Sequence, residues 1–170
     1  MTVKCQCDNP MTMCETDGAM SSAAVPRSTR RALVVVAVLA AVVVLAGCLS
    51  ANQTKMTDLV NSSRRSAGKS AVTANTTAAA KAQAWAEHMA RTKVVEHTGG
   101  GSRVDTSGLP KWCAVGENVG KASSIDAVHA AWMASASHKA NILGNFNRVG
   151  TGVVRSGNTV YAVQIFYRAC

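Results

Sequence analysis

The run from Thr159 to Tyr167 limits what this chain can become more than any other stretch, because it is strand-like and apolar on both faces. Val160 and Phe166 fall on one side of a two-residue repeat, and Val163 and Ile165 fall on the other. A strand buried on both faces needs cover on both, which helices supply. Val149 to Arg155 is a second β-rich run, joined to the first through Ser156-Gly157-Asn158, a hairpin signal. The pattern predicts an α+β domain built as a three-layer α-β-α sandwich.

Helical cover is present upstream. Thr57-Asp58 can cap a first helix that carries Leu59 and Val60, runs toward Ser66 and is closed by Gly68. Thr76 or Thr77 can cap a second, with Ala82, Trp85, Ala86 and Met89 as its apolar face and His88 as a solvated surface residue. Glu96-His97 follows, then a Gly-rich loop over 98–102. Trp112 to Val115 reads as a short strand that delivers Glu117 into a glycine-bracketed turn, Gly116-Glu117-Asn118-Val119-Gly120. Ser123-Ser124 start a further helix with Ile125, Val128, Ala131 and Trp132 as its buried stripe, and His129 lies on its flank. His138 and Asn141 come next, before Ile142-Leu143, and Gly144 is a plausible C-cap.

The N-terminal part is of another kind. Residues 1–31 form a polar leader, and initiation at Met20 would leave a short basic segment ending in Arg30-Arg31. Residues 32–47 are an apolar run, shorter than the roughly 20 residues a spanning helix wants and closer to a signal-peptide core. It ends in Leu45-Ala46-Gly47-Cys48, which resembles the lipobox of bacterial lipoproteins, with Cys48 as the acylated residue. An uncleaved signal anchor is the alternative. Either way the following domain lies outside the cytoplasm and beside a membrane. Residues 48–55 are expected to be a short tether and 56–170 the folded domain. From Cys48 onward Lys and Arg number 14 against 6 Asp and Glu. Outside the cytoplasm that charge suits anionic lipids or envelope polymers, and no nucleic-acid-binding pattern accompanies it.

The ordered set of motifs resembles the CAP superfamily (cysteine-rich secretory, antigen 5 and pathogenesis-related proteins), in its small bacterial branch. Leu59-Val60-Asn61 with Arg64 or Arg65, Trp85-Ala86, His97, the GENVG motif, Trp132 to Leu143 and Tyr161 to Phe166 carry the likeness, over about residues 56–170. The resemblance implies the same α-β-α fold. It also implies a central cleft to which His97 and His138 bring imidazoles and Glu117 a carboxylate, with Asn118 and Ser135 beside them. Two imidazoles and a carboxylate suit a divalent metal such as zinc. Many family members carry a second glutamate where this chain has Ser135, and its loss removes a metal ligand or a base. A purely structural reading stands beside this one: Glu117 and Asn118 bond the loop while His138 orients the helix behind it.

No nucleophile elbow is present. With Cys48 acylated, Cys113 and Cys170 are the two thiols left beyond the leader, and outside the cytoplasm they favour a disulfide. Three functions follow from the cleft: ligand or partner binding by a lipid-anchored envelope domain, metal-dependent hydrolysis at the cell surface, or carriage of a lipid or sterol-like ligand. The missing carboxylate favours binding.

Overall fold

Ser50-Ala51-Asn52-Gln53 is a capping box, and the fold starts there. The computed structural model describes residues 48–100 and 103–170, and residues 49–170 form one compact unit. The leader, the apolar run over 32–47 and the loop residues 101 and 102 lie outside the described residues. In α1 (Ala51–Ser66) the Gln53 N–H donates to Ser50 Oγ and the Ser50 N–H to Gln53 Oε1 (3.3 and 2.8 Å). The expected tether is therefore corrected: residues 51–55 are the first turns of the helix. Thr57 does not cap it but is buried, its hydroxyl donating to Gln53 O (2.9 Å).

The remaining elements are β1 (Thr73–Ala74), α2 (Thr76–Thr92), β2 (Trp112–Ala122), α3 (Ile125–Ala134), α4 (Ala136–Ile142), β3 (Arg148–Ser156) and β4 (Thr159–Ala169). Asn75 caps α2 by accepting from Ala78 N–H, in place of the expected threonines. Ser124 caps α3. The strands order as β1-β3-β4-β2, with β1 parallel to β3 and the other pairs antiparallel. The β3–β4 hairpin turns through Gly157, whose φ of 58° is the left-handed conformation glycine takes without penalty.

The two faces of β4 bury separate cores, as its sequence predicts. Val160, Ala162 and Phe166 join Met56 and Val60 of α1, Ile125, Val128 and Trp132 of α3 and Ile142 of α4. Tyr161, Val163 and Ile165 meet Ala82, Ala86 and Met89 of α2. Full burial of a side chain such as Phe166 or Ile165 stabilises by roughly 1.5–3 kcal/mol. The alanines of α2 let it lie directly on β3. A Cβ on Gly150 would collide with the backbone at Ala78-Ala79, and one on Gly152 with the backbone at Ala82. The α3 stripe differs from expectation at one position. His129, four residues after Ile125, is buried, and Ala131 is exposed. The i, i+3, i+4, i+7 spacing governs there, not residue type.

β2 is longer than its sequence suggests, so Glu117 and Asn118 sit mid-strand opposite Ile165 and Gln164, not in a turn. A bulge near its start leaves Cys113 between Trp112, opposite Ala169, and Ala114, opposite Arg168. Cys113 is bonded to Cys170, with Cα atoms 5.4 Å apart. The bridge spans 57 residues, for which chain entropy gives about 4 kcal/mol.

Candidate functional site

The GENVG motif of β2 works by giving its neighbours room. A Cβ on Gly116 would meet Asn141 Oδ1 at 2.6 Å, and one on Gly120 would meet Trp132 Nε1 at 2.9 Å. Those contacts let α4 and α3 settle against the strand, where Trp132 Nε1–H donates to Val119 O (3.2 Å). Strand alternation then sends Glu117 toward the α2 side and Asn118 toward the α3–α4 side.

β2 is an edge strand, and a cleft of about 290 Å³ straddles its open side. His97, from the loop after α2, and His138, from the first turn of α4, both line it, with Glu117, Gly116 and Asn141 between them. The side chain of Glu117 is fully buried. Its Oε2 accepts from His97 Nδ1–H (2.7 Å) and from Thr98 N–H (3.1 Å), while Oε1 is buried with no partner. His138 Nδ1 is 2.8 Å from Ser135 Oγ, and its ring stacks near Trp132. Each ring thus has Nδ1 engaged, which leaves Nε2 as the nitrogen open to a ligand.

Glu117 is the expected third metal ligand, and one oxygen of its carboxylate is engaged elsewhere. It is turned to His97 Nδ1, and among the described residues no three His, Cys, Asp or Glu side chains are grouped to hold an ion. The imidazoles that could hold a divalent ion here are His97 and His138, with Glu117 behind the first.

Asn118 and Ser135 are near the cleft but do not line it. Asn118 is buried in an amide chain: its Nδ2–H groups donate to His138 O (3.1 Å) and Gln164 Oε1 (3.0 Å), and Oδ1 accepts from Asn141 Nδ2 (2.9 Å). Asn141 also donates to Glu117 O (3.0 Å). Asn118 and Ser135 are therefore positioning residues. Asn141, Ser137, Val104 and Val115 complete the lining and fell outside the expected set. Asn141 was findable, since it lies three residues after His138 and so on the same helical face.

Burial, and behind it the charge of His97, holds the His138 imidazole below its ordinary pKa. Burial does the same to His129, against a weaker opposing pull from Asp126. His129 Nε2 lies 2.8 Å from Ser63 Oγ, and its Nδ1 is buried without a partner. His88, expected to be solvated, stacks on Trp85 at 4.4 Å and reaches Glu96 Oε1 at 3.2 Å. At His129 and His138 the lowered folded-state pKa means that the unfolded chain binds protons first, so these two imidazoles contribute stability above about pH 6.5 that is lost as pH falls. The urea midpoint should therefore drop between about pH 7 and 5, with the His129→Gln, His138→Gln double variant showing a smaller drop. An unchanged slope in that variant would overturn the assignment.

No curated protein matches the chain. Among solved structures it is similar to an outer surface protein of Borrelia burgdorferi, with a TM-score of 0.60 and 15% identity over 69% of this chain and 92% of that one. It is similar to venom allergen-like protein 4 of Schistosoma mansoni, with a TM-score of 0.55 and 12% identity over 72% and 91%. An extracellular protein containing an SCP domain from Bacillus anthracis gives 0.55 and 20%, over 72% of this chain and 45% of that one. At these identities the likeness shows the fold. The family model described as the cysteine-rich secretory protein family matches residues 57–166, most of the described unit, and the chain belongs to that CAP family.

Proposed function

We propose that this chain is an extracytoplasmic, lipid-anchored CAP domain that binds a polar ligand in the cleft across β2, with a divalent cation held by His97 and His138. The observation that carries this reading is the pair of imidazoles on one cleft, each with Nδ1 held by its own oxygen, on Glu117 and on Ser135. That arrangement presets both rings before any ligand arrives, which lowers the ordering cost of binding. When bound, the ion supplies a positive charge and open coordination positions for a ligand oxygen or carboxylate. Binding is favoured over hydrolysis because a serine, Ser135, stands where a second carboxylate would serve as base. The cleft is small and polar for a sterol-sized guest, at the lower end of ordinary ligand pockets. The extracytoplasmic setting is supported by the formed Cys113–Cys170 disulfide and by relatives named as outer surface and extracellular proteins.

Zinc titration of the purified chain by calorimetry tests the cleft. Binding at micromolar zinc is expected near pH 7, with loss below about pH 6 as the imidazoles protonate. His97→Ala and His138→Ala should each abolish it. Glu117→Gln should weaken it by about 10–100-fold, the usual effect of changing an outer partner of a ligating histidine. Absence of binding, or binding that survives both alanine variants, defeats the cation reading.

The anchor has its own test. Metabolic labelling with a tritiated fatty acid should mark the chain and fail to mark Cys48→Ala. Processing and membrane retention that are unchanged in Cys48→Ala would remove the lipoprotein reading.

A further inference from the structure

Two ammonium groups share one aromatic ring at the hairpin end of the sandwich. Lys93 Nζ lies 5.7 Å and Lys121 Nζ 5.8 Å from the centroid of the buried Tyr161 ring. Lys93 Nζ donates to Ser156 Oγ (2.6 Å) and Lys121 Nζ to Lys93 O (3.3 Å). Among the described residues the ion pairs are Lys55–Asp126, Lys81–Asp105 and two that involve histidine, so neither ammonium has a carboxylate partner. An anion placed beside the ring would be attracted by both ammonium groups.

The backbone at Lys93 points the same way. It caps α2 with φ at 63°, in the left-handed region, and it is the one non-glycine residue so placed among those described. Glycine would occupy that position without the penalty, which is about 1–2 kcal/mol for a residue with a Cβ. Beside Lys93, Val94 is 51% exposed, an apolar side chain next to a basic cluster.

Further cations gather at this end. Arg91 is exposed in the last turn of α2, and Arg155, exposed near the β3–β4 turn, donates to Ser123 O (3.4 Å). The nearby acid, Asp126, is already paired with Lys55 at 2.5 Å. The start of α1 points here too. Gln53 near its N-terminus donates to Thr151 O in mid-β3, while Arg64 near its C-terminus reaches Ile142 and Gly144 at the opposite end. The N-terminal end of α1 therefore lies toward the hairpin end.

We propose that the end of the sandwich formed by Lys93, Lys121 and Arg155 docks on the anionic phospholipid headgroups of the membrane to which Cys48 is attached. The orientation rests on the anchoring reading, whereas the affinity for anionic lipid does not. A basic patch beside a lipid anchor adds to the attachment and fixes how the domain sits on the membrane. The two lysines engage headgroup phosphates, Arg155 adds a third contact, and Val94 sits at the headgroup boundary.

Residues 49–170 can be tested without the anchor, because they make one compact unit with two cores of its own, and the matched region covers 92% of the Borrelia chain. That unit should co-sediment with vesicles of mixed phosphatidylcholine and phosphatidylglycerol and not with phosphatidylcholine alone. Each cation removed should cost about fivefold in partitioning, so Lys93→Gln, Lys121→Gln and Arg155→Gln together should cost about a hundredfold. A charge-matched control, Lys69→Gln, Lys111→Gln and Arg168→Gln at the other end, should retain binding. Lys93→Gly should weaken binding while leaving the melting temperature unchanged or higher, so that lost binding is not lost folding. Equal losses in the two triple variants would reduce the effect to net charge and overturn the proposal. Tighter binding to soluble poly(glycerol phosphate) or inorganic phosphate than to vesicles would assign the site to a soluble anion and overturn it as well. Because the unit lacks Cys48, a failure here is separate from a failure of the labelling test.

Discussion

Gly152→Val is expected to yield no cooperatively folded protein. A Cβ at this position would run into the backbone carbonyl of Ala82, and backbone cannot swing aside as the tip of a side chain can. The helix α2 would have to lift away from β3 along the whole Gly150–Gly152 contact. That would open the core in which Ala86, Met89, Val163 and Ile165 are buried. Overpacking a core by a methylene or two costs about 1–3 kcal/mol when side chains can adjust, and here they cannot. The loss should exceed the 5–15 kcal/mol by which domains of this size are stable. Circular dichroism with a urea titration is the check: a sigmoidal transition in Gly152→Val with a near-native midpoint would mean that α2 does not rest on the strand as described.

The second large effect is expected at Arg64. Its guanidinium is 3% exposed, and its N–H groups donate to four carbonyls: Ser70 and Ile142 at 2.8 Å, Gly144 at 2.9 Å and Phe146 at 3.3 Å. No carboxylate accompanies it, and burial draws its pKa below the ordinary arginine value. One side chain thus gathers the loop after α1 and the segment that follows α4. Arg64→Ala leaves those acceptors without a donor and removes the aliphatic stem, a loss of about 3–5 kcal/mol by comparison with other broken buried polar networks. Arg64→Lys should recover little, because one ammonium cannot reproduce a planar fork. Urea unfolding of both variants decides the point, and a loss below about 1 kcal/mol in Arg64→Ala would show the carbonyls to be satisfied without it.

How much of this was legible before the structure depended on which rule each residue obeyed. The layered fold followed from β4, whose Val160 and Phe166 on one face and Val163 and Ile165 on the other each call for cover, which α1, α3 and α4 give to one face and α2 to the other. The start of α1 was legible too, in Ser50 and Gln53, but the weight given to apolar Leu59 and Val60 placed it about two turns late. His129 was misread for a similar reason: a polar type at a buried position gives no signal in hydrophobic periodicity. At the site, a shared cleft for His97, Glu117 and His138 came from the family resemblance. Their division of labour did not. That Glu117 Oε2 turns to His97 is a matter of side-chain direction across a strand edge, and spacing along the chain carries no information about it.

The placement of the cleft on the open side of β2 has a consequence for the solution behaviour of the protein. An 11-residue edge strand is a template on which another chain can add a strand, and the opposite edge, β1, is only two residues long. Part of β2 is screened by the segment bearing His97 and by α4, so an incoming strand and a bound ligand would contend for the same space. Filling the cleft should then slow fibre formation during prolonged agitation, and emptying it should hasten that process, with the monomer as the form that ligand preserves.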